Sequence, residues 1–275
     1  MPIRAQRLIR KMRGGAQAHM VQADDGKFYV VKFRNNPQHR RVLINEWIAS
    51  VFLKQLQIAT PEAHLIEVTP EFLAREPDVF MQVGTRRLNA EPGWHFGSQF
   101  PGDPQVVPVF DYLPDSLLKQ CVNLKDYLGV LVFDKWVSNA DARQSIFYKG
   151  RIRDGRGEEV LEKGFVTQMM DNGFIFDGPN WRYGDLPAQG HYFRAQVYMG
   201  ATRLEDFQPW LDRVRFFPEE VIDDARKRIP LQWLEDDDGE ILDHLLERLL
   251  VRRQRVPDFL EAARRAKSNL FPNWH

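Results

Sequence analysis

The chain has 275 residues, room for one large domain or two lobes around a cleft. Lys plus Arg and Asp plus Glu both number 38, so the formal net charge is +0, which excludes a global pull towards nucleic acid or acidic membrane. A single cysteine, Cys121, excludes an intrachain disulfide and a thiolate zinc cluster.

The basic N-terminus, MPIRAQRLIRKMRGG, lacks the apolar core of a secretory signal. No apolar run nears the roughly 18 residues that a membrane span needs. A cytoplasmic protein with no membrane contact and no direct nucleic-acid contact is expected. Arg13-Gly14-Gly15-Ala16-Gln17-Ala18-His19 reads as a short glycine-bearing loop before a strand over Met20 to Ala23. Its backbone N–H groups at Gly14, Gly15, Ala16 and Gln17 are candidates to cover phosphates, although the run matches neither the Walker pattern nor the usual kinase glycine pattern. Asp24-Asp25-Gly26 signals a turn, and Lys27 to Phe33 is rich in β-branched and aromatic residues, so a hairpin strand is predicted. From Arg40 to Ile58, apolar residues from Val42 to Leu56 recur at helical spacing, and Pro61 closes the segment. His64 to Val68 and Val79 to Val83 read as further strands. Between Thr85 and Pro108 the density of Gly and Pro predicts no regular element, and a boundary between two lobes, 1–90 and 91–275, is expected there.

The second part is mainly helical. Leu124 to Val137 is apolar on most faces and reads as a buried helix. Two short strands follow, Ser145 to Tyr148 and Phe165 to Met170, with a polar turn over Gly150 to Glu158. Helices are predicted near Leu204 to Val214, Pro218 to Lys227, Gly239 to Arg252 and Pro257 to Leu270. The acidic run Glu235 to Glu240 reads as a solvated cap, because its spacing is wrong for a calcium loop. The basic residues of the C-terminal helices read as a solvated face, and the tail Phe271-Pro272-Asn273-Trp274 as packed on the domain. Trp94 and His95 read as structural, with the wall of an adenine pocket as their alternative.

Two polar clusters carry the chemistry. Ser138-Asn139-Ala140-Asp141-Ala142-Arg143-Gln144 follows the buried helix, and Asp171-Asn172-Gly173 follows the second short strand. A hairpin between them brings both acids to one end of a cleft. Phosphoryl transfer needs such a pair: one carboxylate orients the attacking hydroxyl, and the other holds magnesium against the nucleotide phosphates. Either cluster alone reads equally as a turn or a helix cap; the combination is the signal. Lys32 sits among apolar residues in YVVKF, where its charge needs a partner. Contact with the α- and β-phosphates of ATP, with Glu46 on the next helix as counter-ion, supplies one.

With these residues in place the chain resembles the HipA-like kinases over nearly its whole length. The resemblance rests on Lys32 in YVVKF, on Asn45-Glu46, on Asn139-Ala140-Asp141, on Asp171-Asn172-Gly173 and on HFGSQF. It implies an α+β, bilobal protein-kinase-like fold with a strand-rich first lobe and a helical second lobe. It matches Asp141 to the catalytic aspartate, Asp171 to the metal-binding aspartate, and Lys32 with Glu46 to the ion pair. It further implies ATP and Mg2+, transfer to Ser or Thr of a protein, and a toxin–antitoxin setting with the antitoxin on a separate chain. Two positions depart from the family. Ile146 stands where a metal-binding Asn is common, which shifts the expected ligand role to Gln144 or Asn139, and Arg143 stands where a histidine is common. A small-molecule phosphotransferase and a nucleotide-binding pseudokinase are the alternatives.

Overall fold

The computed structural model describes residues 3–153 and 159–275. The chain begins with β1 (Ile3–Lys11), β2 (His19–Ala23) and β3 (Phe28–Lys32), followed by α1 (Arg41–Gln55), β4 (Ala63–Val68), α2 (Pro70–Arg75), β5 (Phe80–Val83), β6 (Arg86–Asn89) and β7 (Gly93–Gln99). Strands β1, β2, β3, β7 and β4 close into a barrel, and β5 and β6 form a hairpin beside it. The alternating strands turn Val21, Tyr29, Val31, Ile66 and Val68 inwards, and this interior excludes water.

Strand β7 departs from the expectation that Gly and Pro leave residues 85–108 irregular. It lies beyond the expected boundary at residue 90, yet it pairs antiparallel with both β3 and β4. Gly97 is the reason such a strand fits: a Cβ there would sit 2.4 Å from Ile66 Cγ1 on β4. His95 on the same strand is fully buried; its Nδ1 accepts from the Arg34 amide and its Nε2 faces the Glu91 carbonyl, both at 2.9 Å. These partners suit the neutral imidazole and leave no acceptor for a second ring proton. Burial, eased by the Glu91 carbonyl, lowers its pKa to about 3. The unfolded chain takes up that proton near 6.5, so between these values unfolding gains a proton and stability is lost as the pH falls. The expected slope is about 1.4 kcal/mol per pH unit for this group. Denaturant titrations from pH 7 to 4 should show a shallower slope in His95→Gln, and equal slopes would contradict the assignment.

Helix α1 ends earlier than Pro61 suggests. Gln57 adopts φ 59°, its amide bonds Lys54 O at 3.0 Å, and the Ile58 amide bonds Leu53 O at 2.9 Å. That pair of bonds is a Schellman stop. The helix buries most of its faces because it lies between the barrel and the second lobe.

The second lobe contains β8 (Val109–Phe110), α3 (Asp115–Leu118), α4 (Asp126–Trp136), β9 (Gln144–Arg153), β10 (Glu159–Met170), α5 (Trp210–Arg215), α6 (Glu219–Lys227), α7 (Asp238–Arg252) and α8 (Val256–Ala266). The expected polar turn lies in part outside the described residues, and 150–153 continue β9. Helix α4 is buried all round. Its Trp136 stacks on Phe52 of α1 at 5.5 Å and donates to Leu249 O of α7 at 3.0 Å. Asp238 is no solvated cap: it is buried and accepts from Arg41 Nε and Nη2 at 3.0 and 2.7 Å, which ties α7 to α1. Nor is the C-terminal basic run wholly solvated, since Arg252 donates to the Trp136 carbonyl at 2.9 Å. Phe271 and Trp274 are buried. No helix among the described residues is long and apolar enough to cross a membrane.

Candidate active site between the lobes

The β9–β10 hairpin pairs Gln144 with Met170. That register places Asp141 and Asp171, just outside the paired ends, on the same side of the lobe. Opposite them, β3 presents Lys32 and α1 presents Glu46. Lys32 Nζ donates to Glu46 Oε1 and, at 2.7 Å, to Asp171 Oδ1. Burial alone would lower the lysine's pKa; the charges of Glu46 and Asp171 outweigh it and raise the value. For Asp171 the Lys32 charge is the main cause of a lowered pKa, acting against burial, and Arg143 and the Gln144 side chain add to it. Lys32 and Asp171 are therefore both charged at neutral pH.

The segment after β10 is shaped by its residues. Asp171 adopts φ 57°, a left-handed conformation that Asp tolerates better than most residues. A Cβ on Gly173 would lie 2.6 Å from Val42 Cγ1, so α1 and this loop meet only at a glycine. Asn172 bonds Glu46 twice, through its amide N at 3.0 Å and through Nδ2 at 3.3 Å. Asn45, beside Glu46, donates from Nδ2 to the carbonyls of Gly173, Ile175 and Gly178 at 2.8, 3.1 and 3.1 Å. Its Oδ1 accepts from Trp181 Nε1 at 2.8 Å. One buried amide thus fixes the loop that carries Asp171.

The loop after α4 is held by a second buried network. Arg143 and Asp134 form an ion pair whose side chains are both 0% exposed, with Arg143 Nε donating to Asp134 Oδ2 at 2.9 Å. Asn139 Nδ2 donates to Asp134 Oδ1 at 2.9 Å, and Asn139 Oδ1 accepts from the Asp141 amide at 3.1 Å. Arg143 Nη1 continues to Met170 O at 2.9 Å and Asn172 Oδ1 at 2.7 Å. A continuous chain of hydrogen bonds therefore runs from Asn139 through Asp134, Arg143, Asn172 and Glu46 to Lys32.

A cleft of about 410 Å³ opens over these groups. Gly14, Gly15, Ala16, Gln17, Lys32, Glu46, Asp141, Gln144 and Asp171 line it, and so does Ile146. Gly14 adopts φ +115°, and the turn closes through the Gln17 amide on Gly14 O at 3.1 Å. The amides of Gly15 and Ala16 bond no acceptor among the described residues. Asn139 is not brought to the cleft, because both ends of its amide are engaged in ordering the loop. Trp94 and His95 do not line the cleft either.

Asp134, Arg143, Asn172 and Asn45 received no positioning role from the sequence. Asp134 had a legible signal, a carboxylate inside an otherwise apolar helix, which demands a buried cation. The others gave none, because their partners are distant in sequence.

The sequence profile of the HipA-like kinase family matches residues 5–148, more than half of the chain. No curated protein matches. Among solved structures, the Helicobacter pylori proinflammatory kinase CtkA superposes with a TM-score of 0.52 at 12% identity, covering 98% of this chain and 99% of that one. A Golgi casein kinase superposes with a TM-score of 0.51 at 14% identity, covering 94% of this chain and 72% of the other. At such identities these likenesses establish the protein-kinase-like fold alone. The family match establishes the rest: the chain belongs to the HipA-like kinase family and is a phosphotransferase.

Proposed function

We propose that the protein transfers the γ-phosphate of ATP, with magnesium, to a Ser or Thr hydroxyl of a protein. The observation that carries this reading is Lys32 bonded to both Glu46 and Asp171 at the base of a cleft that Asp141 also lines. Lys32, held by Glu46, meets the α- and β-phosphates, and the glycine turn covers them. Among the described residues no group of three or more His, Cys, Asp or Glu could hold a metal. Asp171 and Gln144, which both line the cleft, would provide hard oxygen donors to a magnesium ion completed by phosphate oxygens and water. Bound there, the ion neutralises charge that develops on the phosphates. Asp141 accepts the hydroxyl proton as the new P–O bond forms and the bond to the β-phosphate oxygen breaks, releasing ADP. The nucleotide-binding lobe extends through β7, past residue 90. The protein acceptor and a toxin role with a separate antitoxin chain rest on the family resemblance alone.

A second reading, nucleotide binding without transfer, is favoured by one observation: Ile146 lines the cleft where the family commonly has Asn. Thermal shift separates the two. ADP at a hundred times its Kd should stabilise the parent by about 2.7 kcal/mol, only with magnesium, and Asp171→Asn should lose the magnesium-dependent part. Equal stabilisation with a chelator present would favour the second reading.

A further inference from the structure

The charge of the chain, zero overall, is unevenly divided. Residues 1–99 carry 14 Lys and Arg against 9 Asp and Glu, and the remainder carries 24 against 29. The excess on the first lobe gathers at one rim of the cleft. Arg10, Lys11 and Arg13 leave β1 towards the glycine turn, and Arg86 and Arg87 begin the second strand of the β5–β6 hairpin. All five are exposed. The two groups are neighbours in space. Lys11 Nζ and the Arg87 guanidinium lie 2.9 and 3.9 Å from the centre of the same Phe80 ring. Gln17 of the glycine turn joins Gln82 of the hairpin through two hydrogen bonds, at 2.7 and 2.6 Å. Elsewhere on this lobe Arg4 pairs with Glu67 at 2.7 Å and Arg34 with Glu91 at 2.9 Å. None of the five rim cations has an ion-pair partner among the described residues. Arg10 and Arg13 also line the cleft, as does Asp141.

Five exposed cations, two of them over one aromatic ring and the others along the same rim, with Asp78 the acid that acts on Lys11, leave the rim positive and suited to an anion. We propose that this rim docks an acidic segment of the acceptor polypeptide, Asp and Glu residues flanking the hydroxyl presented to Asp141. The proposal rests on the kinase reading and names its substrate class. A nucleic-acid backbone fits less well, because a polyanion crossing the cleft would meet Asp111 and Asp141, which also line it. A short acidic stretch that ends at the hydroxyl avoids both.

The test uses the whole protein with ADP and magnesium, and two fluorescein-labelled peptides that contain one Ser, flanked by Glu in one and by Lys in the other. Fluorescence anisotropy should show the acidic peptide binding at least about tenfold more tightly. Raised salt should weaken that binding, and Arg86→Glu/Arg87→Glu should remove the preference. The ADP-induced thermal shift, measured alongside, reports whether the variant folds and binds nucleotide. Equal affinity for both peptides, or a preference unchanged in the variant, overturns the proposal. So does displacement of the acidic peptide by a 20-nucleotide RNA that binds more tightly than it does. Failure of the kinase reading shows itself separately, as no ADP-induced shift in the parent.

Discussion

Arg143→Ala is expected to cost about 3–5 kcal/mol of folding stability, because it strands a buried carboxylate. Asp134 is 0% exposed at its side chain and receives its charge compensation from Arg143. Its other side-chain donor, Asn139, is neutral. The same guanidinium also holds the Met170 carbonyl and Asn172. Its loss therefore loosens the Asp141 loop and the Asp171 loop together. For a chain of this length the loss corresponds to a fall in Tm on the order of 10 °C. Arg143→Lys should recover only part of it, since an ammonium cannot reproduce the planar fork. Urea denaturation of the three proteins checks this. A loss below about 1 kcal/mol in the alanine variant would place the pair among weak surface contacts and contradict the network described here.

The second large effect is on turnover. Lys32→Met should lower kcat/KM for ATP by about a thousandfold, the scale of removing one preorganised charged donor from a phosphoryl site. Glu46 keeps its two bonds from Asn172 but loses its cation, so a fall in stability accompanies the loss of turnover, and the ADP-induced thermal shift reports whether the variant still folds. The variant has a pH signature too. Lys32 is the main cause of the lowered Asp171 pKa. The stability this pair contributes is present above the ordinary carboxylate range and is lost as pH falls through the depressed value. Without Lys32 that acid-side contribution disappears. Steady-state kinetics and an acid titration of stability check the two arms; near-parental kcat/KM would remove Lys32 from the phosphate site.

Some of this was legible in the sequence, and the reasons are specific. Lys32 stood out because an ammonium in an apolar strand has to be paired. Asp141 and Asp171 stood out together because a hairpin between two polar clusters makes them neighbours. β7 was hidden, since glycine reads as a breaker when the close approach of Ile66 is unknown. The chain end at β1 offered a basic run whose pattern resembles no buried strand, yet Ala5 faces the barrel interior. The ladder through Asp134, Arg143, Asn172 and Asn45 joins residues up to 136 positions apart. Such contacts leave no periodic trace. Asn139 carried an amide oxygen of the right chemistry, and only geometry revealed that it is turned towards Asp134 and the Asp141 amide.

Transfer of label from [γ-32P]ATP with magnesium, by the parent and by Asp141→Asn, tests the central claim most directly. Asp141 is exposed in the cleft, so its amide keeps the fold. The account predicts labelled protein or acceptor with the parent and a drop of at least about a hundredfold in the variant, with ADP binding retained in both. Equal labelling by the two proteins, or no nucleotide binding by the parent, would contradict it.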